Sequence, residues 1–455
     1  MDLERLVAAL GADEVVGAAP VEVRDLSYDT RAVAPGSLFF CVRGAQADGH
    51  DFAPEAVANG AGALVVERPL AVDVPQVVVA DSRAAMAVVA DEFFGRPTEE
   101  LQVAGVTGTS GKTTTCFLLF AILAAAGRRP GLLGTVEARV GGERRGVIRT
   151  TPEAIDLQRT FREMLDAGDR SCAMEASSHA SELRRLDRVR FAVLVFTNLS
   201  QDHLDFHGDM ESYFQAKRRL FTGPAVVNVG DEYGRRLASE LPDAITFSAA
   251  DAGALDGIDL KLRGRFNVEN ALGALVAARV LGVDDDAIKR GLESVRGVPG
   301  RFESVDEGQP FEVIVDYAHK PGALENVLRT ARDLARGRVI AVIGAGGDRD
   351  RGKRPVMGRI SSELADVTIV TSDNPRSEDP QAIIDEIVAG TAGEVEVEPD
   401  RAAAIARAIE LANEGDVVLI AGKGAEQGQQ FADRTIPFDD REAARDALRA
   451  LGART

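Results

Sequence analysis

The sequence predicts an α/β protein of several domains, built on mostly parallel sheets. The chain has 455 residues, which exceeds one ordinary domain and favours about two to four of them. Short apolar runs alternate with helical segments, and this alternation is the β-α-β rhythm of a parallel sheet. In the last third of the chain, four apolar runs each pass directly into a polar, glycine-rich turn, as strands do where an open sheet binds ligands.

Two stretches divide the chain into three predicted domains. Residues 94–100 have the composition of a linker, and a Gly-Val-Pro-Gly turn at 297–300 marks a second boundary. The domains are therefore expected at residues 1–98, 99–299 and 300–455. The first is a small α/β domain, with strands expected at 38–42 and 63–66 and helices at 53–58 and 84–94.

The second and third blocks are expected to hold parallel sheets. In the second, a strand at 102–106 runs through a glycine-rich loop into an apolar helix, and further strands are expected at 191–197 and 225–229. In the third, Rossmann-like block, strands that run straight into polar turns are expected within 313–316, 339–343, 367–373 and 417–423. Their polar ends carry Asp, Arg and Lys and are expected to share one crevice, because open sheets bind ligands at the carboxyl ends of their strands.

Composition narrows the class of function. The net charge of −19 makes nucleic acid a poor partner. The three cysteines are scattered, which favours a reducing compartment. The longest apolar run, at 116–126, is shorter than the ~20 residues that a bilayer requires. We therefore expect a cytoplasmic protein without membrane insertion.

The segment Gly105-Val-Thr-Gly-Thr-Ser-Gly-Lys-Thr-Thr114 predicts a triphosphate-binding loop. Its glycines allow backbone N–H groups to point at phosphate oxygens, Lys112 adds a cation, and Thr113 offers a hydroxyl to Mg²⁺. The spacing is G-x-x-G-x-x-G-K-T, and Val106 stands where the strict motif has its first glycine. A dinucleotide motif at 344–349 fails because Arg349 occupies its third glycine position, so we expect that turn to bind an anionic group.

Acidic and histidine side chains follow two of the predicted central strands. Glu175 and His179 follow one strand, and His203 follows another. Mg²⁺ prefers oxygen ligands and takes few of them from the protein, so Glu175 suits this ion and His203 is a less usual candidate. A single histidine near a strand end is more often structural, but four of the five histidines lie in such motifs.

Taken together and in order, these motifs resemble the Mur ligases of peptidoglycan synthesis. The matching stretches span nearly the whole chain: Asp29-Thr-Arg31, Pro35-Gly-Ser-Leu-Phe39, residues 105–115, Thr150-Thr-Pro152, Glu175-Ala-Ser-Ser-His179, Thr197-Asn-Leu-Ser-Gln-Asp-His-Leu-Asp205, Tyr213-Phe-Gln-Ala-Lys217, Arg265-Phe-Asn-Val-Glu-Asn270, Gly300-Arg-Phe-Glu303, Asp316-Tyr-Ala-His-Lys-Pro321, Gly346-Gly-Asp-Arg349 and Asp373-Asn-Pro-Arg376.

The resemblance implies an N-terminal domain for the UDP end of the substrate, a central P-loop ATPase domain and a C-terminal domain for the incoming amino acid. It implies a monomeric enzyme in which ATP phosphorylates a carboxylate of UDP-MurNAc-L-Ala-D-Glu and an amine then displaces the phosphate. ATP and Mg²⁺ are the implied cofactors.

The resemblance also implies roles for individual residues. Lys112, Glu175, His203 and Lys217 are expected to be catalytic, with Thr113, Glu175, His203 and a carbamylated Lys217 at the metal. ATP contacts are expected from Gly108, Thr109, Ser110, Gly111, Lys112, Thr113, Thr114, Asn267, Asn270, Arg301 and Asp316. Muramyl-dipeptide contacts are expected from Thr30, Thr150, Thr151, Ser178 and Arg185. The alternative for Lys217 is an ordinary surface lysine beside Arg218 and Arg219.

The motif Asp373-Asn-Pro-Arg376 accompanies meso-diaminopimelate in this family, because an arginine can clamp its distal carboxylate. Arg349, Asp373, Asn374, Pro375, Arg376, Gly422 and Glu426 are the implied amino-acid contacts. An Asn-Pro turn without ligand function is the alternative. The chain departs from the family pattern at Leu183, where glutamine is usual, and at Ala425, where histidine is usual.

Three other functions stay open at this point. The same superfamily includes ligases that add L-lysine and folylpolyglutamate synthases, although the first 98 residues argue against the folate enzyme. A P-loop protein that hydrolyses ATP as a switch is the third, but it would leave the Asp-Asn-Pro-Arg motif without a purpose.

Overall fold

The computed structural model describes residues 1–12, 14–17, 20–44 and 47–452. Within these ranges the strands form three main sheets, which follow one another along the chain, and a small hairpin. The predicted α/β class with mostly parallel sheets is therefore confirmed. Within the same ranges, none of the helices combines the length and the apolar character that a membrane crossing requires.

The first sheet has the order β1-β5-β4-β3-β2. All of its neighbouring strands are parallel except the pair of β1 with β5. The elements of this part are α1 Leu3–Leu10, β1 Glu14–Val16, β2 Asp25–Ser27, β3 Ser37–Phe40, α2 Ala53–Ala58, β4 Ala61–Val66, β5 Gln76–Val78 and α3 Ser82–Phe93. Short 3-10 helices lie at Thr30–Ala32, Gly49–Phe52 and Pro97–Glu99.

The second sheet has the order β13-β12-β11-β6-β10-β7-β8-β9. It is parallel from β13 to β7, and an unpredicted antiparallel hairpin, β8–β9, extends its edge. Its elements are β6 Gln102–Thr107, α4 Lys112–Ala125, β7 Pro130–Leu133, β8 Ala138–Val140, β9 Glu143–Arg145, α5 Ala154–Asp166, β10 Ser171–Glu175, α6 Ser178–Glu182, β11 Phe191–Phe196, α7 Leu204–His207, α8 Met210–Arg218, β12 Ala225–Asn228, α9 Glu232–Glu240, β13 Ile245–Phe247, a 3-10 helix Ala249–Leu255, α10 Arg265–Val280 and α11 Asp285–Ser294.

The third sheet has the order β14-β15-β19-β16-β17-β18, with only the edge strand β14 antiparallel. Its elements are β14 Glu303–Ser304, β15 Glu312–Asp316, α12 Pro321–Leu334, β16 Val339–Ile343, α13 Lys353–Leu364, β17 Val367–Val370, α14 Pro380–Val388, β18 Glu396–Val397, α15 Arg401–Leu411, β19 Val417–Ala421, the hairpin β20 Gly428–Gln430 and β21 Thr435–Pro437, and α16 Asp440–Gly452. Within the stretch 367–373, which was predicted to be a strand running into a polar turn, the strand ends at Val370. The last three residues belong to the loop that carries the Asp-Asn-Pro-Arg motif.

Central strands of the two larger sheets are buried on both faces, which explains their continuous apolar runs. Helices α4, α10 and α11 cover one face of the second sheet with an aliphatic core. Because the parallel strands of each sheet end at the same edge, their polar loops are gathered there.

Candidate active site

The loop between β6 and α4 has a backbone that only glycine can follow at two positions. Gly108 and Gly111 have φ values of +146° and +88°. A Cβ atom at Gly108 would lie 1.9 Å from Oγ1 of Thr197, and one at Gly111 would lie 2.3 Å from Oδ1 of Asn270. The two glycines therefore fulfil both the conformational and the packing requirements of a phosphate-binding loop.

The loop is held in place by contacts with the end of β11 and with α8. The N–H of Ser110 donates to Oδ1 of Asn198 at 2.9 Å, and the Oγ1 of Thr109 lies 3.1 Å from the hydroxyl of Tyr213. Thr114 is buried in the first turn of α4. These contacts fix the shape of the loop at the N-terminus of α4, where backbone N–H groups favour an anion.

Lys112 folds back onto this loop. Its Nζ donates to the carbonyl oxygens of Gly108 and Thr109, each at 2.9 Å. Burial, followed by the positive charge of Lys320, lowers the pKa of Lys112 to about 8. A polyphosphate bound here would supply the negative charge that this buried cation lacks.

Glu175, at the end of β10, is 1% exposed and is fully engaged by hydrogen bonds. Its Oε1 accepts from Oγ1 of Thr113 at 2.9 Å and from the N–H of Thr135 at 2.7 Å, and its Oε2 accepts from Oγ1 of Thr135 at 3.1 Å. A carboxylate beside a threonine hydroxyl is a donor set that suits Mg²⁺. In the described part of the chain, no three His, Cys, Asp or Glu side chains form a metal-binding group.

His203 lies in the left-handed region, with φ +55°. Its Nε2 is 2.8 Å from Oδ2 of Asp202, and its ring packs edge-on against His179 with centroids 4.6 Å apart. Asp202 also pairs with Lys320 at 2.5 Å. The sequence prediction did not include Asp202 and Lys320 among the site residues. Both lie in polar motifs that follow strands, and this position could have indicated that they belong to the site.

Lys217 is not a surface residue, because it is 1% exposed. Its Nζ donates to the carbonyl of Gly108 at 2.9 Å and lies 4.8 Å from the ring centroid of Tyr213. Burial and then the nearby charges of Lys112 and Lys320 hold the pKa of Lys217 well below its usual range. The surroundings of Lys217 therefore favour the neutral form of its amine over the charged form.

Asn267 and Asn270 lie on the first turns of α10, against the phosphate loop. Nδ2 of Asn270 donates to Oδ1 of Asn267 at 3.0 Å, and Oδ1 of Asn270 accepts from Oγ1 of Thr115 at 3.4 Å. Both asparagines are buried. The predicted nucleotide residues of α10 are thus brought to the loop.

Arg301 reaches the loop from the start of the third block, where its Nη2 donates to Oγ1 of Thr113 at 3.2 Å. Asp316 is buried, and its two carboxylate oxygens accept from the N–H groups of Phe302 and Ala318, each at 2.7 Å. Burial raises the pKa of Asp316 to about 6. In this structure Asp316 holds the turn after Arg301.

Four of the five predicted dipeptide residues surround the end of β10. Oγ1 of Thr151 donates to the carbonyl of Glu175 at 2.8 Å, and Nη1 of Arg185 donates to the carbonyl of Thr151 at 3.1 Å. Thr150 lies 3.0 Å from Thr135 between their Oγ1 atoms, and Oγ of Ser178 lies 3.0 Å from Nε2 of His207. Thr30 is not among them: it lies in the first block, where its carbonyl accepts from Asn59.

The four polar strand ends of the third block do share one crevice, as expected. They line a cavity of about 740 Å³ together with the loop that carries His203. Predicted amino-acid residues in its wall are Arg349, Asp373, Asn374, Arg376, Gly422 and Glu426, whereas Pro375 is not part of the wall. The cavity therefore joins the second and third blocks.

Inside this cavity, Asn374 and Glu426 are tied together by a buried lysine. Nδ2 of Asn374 donates to Oε2 of Glu426 at 2.8 Å. Nζ of Lys423 donates to Oδ1 of Asn374 at 2.8 Å and to Oε2 of Glu426 at 3.2 Å. Lys423 is fully buried. The sequence did not single it out, because Asn374 lies 49 positions before it in the chain and only the fold brings the two side chains together.

Comparison with known proteins agrees with this architecture. The chain matches three family models: "Mur ligase family, catalytic domain" at residues 22–106, "Mur ligase middle domain" at 106–256 and "Mur ligase, glutamate ligase domain" at 300–424. The chain therefore belongs to the Mur ligase family, whose members are ATP-dependent ligases.

Within this family, its relatives include proteins that are named as 2,6-diaminopimelate ligases. Proteins named UDP-N-acetylmuramoyl-L-alanyl-D-glutamate--2,6-diaminopimelate ligase from Geobacillus kaustophilus and Streptomyces coelicolor are 47% and 46% identical, over 94% and 96% of this chain and 95% of each relative. A solved structure with that name is 31% identical over 96% of this chain and 97% of its own, with a TM-score of 0.65. E. coli FolC in complex with ADP, 24% identical over 82% of this chain and 93% of its own, shares the fold, with a TM-score of 0.60.

Proposed function

We propose that this protein joins meso-diaminopimelate to UDP-MurNAc-L-Ala-D-Glu at the expense of ATP, in the synthesis of the peptidoglycan precursor. The observation that carries the proposal is the single cavity in which the His203 loop of the second block faces the Asp-Asn-Pro-Arg loop of the third. Such a cavity allows an activated carboxylate and an incoming amine to meet. The names of the relatives support the choice of substrates.

In this proposal, Lys112 and the loop from Gly108 to Thr114 bind the phosphates of ATP. Thr113 and Glu175 would hold Mg²⁺, with His203 nearby, and the ion would neutralise charge on the transferred phosphoryl group. A carboxylate oxygen of the dipeptide attacks the γ-phosphorus, the bond to the bridging oxygen breaks, and ADP leaves. The amine then attacks the acyl phosphate, loses a proton and releases phosphate.

Lys217 is proposed to be carbamylated. Its burial and depressed pKa support this idea, because a neutral amine can add to CO₂ and the product is a carboxylate-like group. That group would place an anion where the buried amine now lies, and it could support a second Mg²⁺.

The dipeptide is proposed to lie against Thr150, Thr151, Ser178 and Arg185. Because Thr151 is hydrogen-bonded to the backbone of Glu175, a carboxylate bound there would be next to the proposed metal residues. Thr30 would contact the UDP end from the first domain. We propose the three domains at 1–98, 99–299 and 300–455 for the UDP end, ATP and the amino acid.

The incoming amino acid is proposed to be recognised at both of its ends. Arg376 would clamp the distal carboxylate bidentately, and Glu426 would meet the distal ammonium. Arg349, Asp373, Asn374, Pro375 and Gly422 would form the remaining contacts. We further propose that the enzyme acts as a monomer in the cytoplasm, where its free, buried cysteines stay reduced.

A panel of acceptors and amines tests the proposal. UDP-MurNAc-L-Ala-D-Glu and ATP are incubated with meso-diaminopimelate, L-lysine or L-glutamate, and the product is read by mass spectrometry. We expect an amide only with diaminopimelate, with phosphate release that requires both acceptor and amine. An equal yield with L-lysine would contradict the amino-acid assignment. Activity with folate plus glutamate, or phosphate release without an amine, would contradict the ligase assignment.

A further inference from the structure

Lys320 occupies a position between the phosphate loop and the amino-acid cavity. It is the last residue before α12, and its side chain lines the cavity. Its Nζ crosses to Asp202 of the second block at 2.5 Å, and the two side chains are 12% and 13% exposed. Lys320 is therefore a cation that the third block delivers to the loop carrying His203.

This cation is surrounded by others. Burial lowers the pKa of Lys112, and the positive charge of Lys320 is the next cause. The charges of Lys112 and Lys320 also follow burial as causes of the depressed pKa of Lys217. Lys353, whose Nζ donates to the carbonyl of His319 at 2.9 Å, lies in the same cavity wall. Like charges gathered in one place indicate a site that an anion completes.

Asp202 is the counter-ion of Lys320 in this structure. Its Oδ2 also lies 2.8 Å from Nε2 of His203, so Lys320 is not its only close neighbour. A substrate anion could therefore replace Asp202 as the partner of Lys320 without leaving the carboxylate unpaired.

We propose that Lys320 is a catalytic residue that binds the phosphoryl group during its transfer from ATP to the substrate carboxylate. This inference rests on the proposed function. As the carboxylate oxygen attacks the γ-phosphorus and ADP departs, the Lys320 ammonium donates a hydrogen bond to a non-bridging phosphoryl oxygen and keeps its proton. Lys320 thereby links the approach of the third domain to the formation of the acyl phosphate.

The test separates acyl-phosphate formation from amide formation. Exchange of labelled ADP into ATP, in the presence of the UDP-dipeptide and the absence of amine, reports the first step. We expect Lys320→Met to slow this exchange and the overall kcat by about 100- to 1,000-fold, as the loss of one donor to a developing charge does. The KM values for ATP and diaminopimelate should change much less. Lys289→Met, on the exposed face of α11, is the matched control and should exchange normally.

A purely structural ion pair predicts a different result. Asp202→Asn removes the charge pair but keeps an amide oxygen near His203. If the ion pair were purely structural, this variant would lose as much ADP–ATP exchange as Lys320→Met. We expect Asp202→Asn to keep clearly more exchange, and the double variant to match Lys320→Met. Equal losses in the two single variants, or near-normal exchange in Lys320→Met, would overturn the inference.

A substitute variant and a control with the unmodified enzyme complete the test. If Lys320→Met does not fold, Lys320→Gln replaces it, and thermal unfolding confirms the fold of each variant. If the unmodified enzyme makes no amide in the acceptor panel, the proposed function itself is wrong. If it makes the amide and only the Lys320 variants behave unexpectedly, the role of Lys320 alone is wrong.

Discussion

Arg376 combines a left-handed backbone with a side chain directed along the cavity wall. Its φ is +53°, its N–H donates to the carbonyl of Gln430 at 3.0 Å, and its Nη1 donates to the carbonyl of Gly347 at 2.5 Å. These contacts hold the guanidinium at a defined place before a ligand binds. An Asn-Pro turn alone would not require them.

Replacing this guanidinium should weaken the binding of diaminopimelate. We expect Arg376→Ala to raise the KM for diaminopimelate by a factor that corresponds to about 2–5 kcal/mol, because a carboxylate loses a charged, hydrogen-bonded partner. Arg376→Lys should recover little, because a lysine cannot form the bidentate pair. Steady-state kinetics measure both. Arg434→Ala, on the exposed hairpin, is the control, and an unchanged KM in Arg376→Ala would remove the residue from the amino-acid site.

Lys217 offers a second prediction at the scale of one residue. We expect Lys217→Ala to lose most activity, because it removes the carbamate that the proposal requires. Formate or acetate should restore part of that activity by occupying the space left in the buried site. Phosphate release with and without the added carboxylate measures the effect. Full activity in the unrescued variant would contradict carbamylation. Arg218→Ala, whose side chain pairs with Glu240 at the surface, should behave normally.

At the scale of elements, a buried ion pair supports the strand ends of the third sheet. Arg401 of α15 and Asp440 of α16 are both fully buried and lie 2.7 Å apart. Arg401 also donates to the carbonyls of Ser372 and Ala421, at 3.3 and 3.1 Å. The pair therefore ties two helices to the end of β19 and to the loop after β17, which carries Asp373.

Breaking that pair should destabilise the third block. We expect Arg401→Met to lower its free energy of unfolding by about 3–5 kcal/mol, because Asp440 would be left buried and unpaired. Urea unfolding measures the change. The exposed pair of Arg407 with Glu396 provides the control, since Arg407→Met should cost only about 0–1 kcal/mol. Equal losses in the two variants would contradict this account.

A second buried arginine joins the two loops of the proposed amino-acid site. Arg354 of α13 is fully buried and donates to Glu378 and Glu386 and to the carbonyl of Gly346. Its hydrogen bond lowers the pKa of Glu378 from 4.5 to about 2. This contribution to stability is therefore present above pH 4.5 and is lost as the pH falls to about 2.

At the scale of the whole molecule, the first and second blocks share a hydrophobic core, whereas the cores of the third block are almost separate from the rest. The core of the first sheet includes Ala154 and Ile155 of α5, so the first and second blocks share buried surface. Tyr28 and Asp156 add a hydrogen bond of 2.6 Å across the same boundary. The cores of the third sheet draw only Phe266, among the described residues, from outside that block.

This division predicts more than one unfolding transition in a calorimetric scan. The first two blocks should unfold together and the third separately, because few apolar contacts connect the third to the rest. ATP with Mg²⁺ should raise the midpoint of the first transition, since a ligand stabilises the unit that binds it. Lys112→Met should abolish that shift. One transition with equal calorimetric and van't Hoff enthalpies would contradict the prediction.

The sequence by itself determined the α/β class, the order along the chain of the motifs that follow the parallel strands, and the position of the glycine-rich loop between β6 and α4. These are local properties: apolar runs, turn residues, and the glycines and Lys112 at fixed spacing. Family resemblance extended them to individual residues such as Arg376. The edge hairpin β8–β9 was missed, because short polar segments carry little periodicity.

Only the tertiary structure decided the surroundings of the charged side chains. It buried Lys217 under the phosphate loop, enclosed Arg354 and Arg401, and brought Lys320 to Asp202 across more than a hundred residues. A charge responds to desolvation and to neighbours within a few ångströms. Those quantities depend on which distant segments pack together, and no local pattern in the chain contains them.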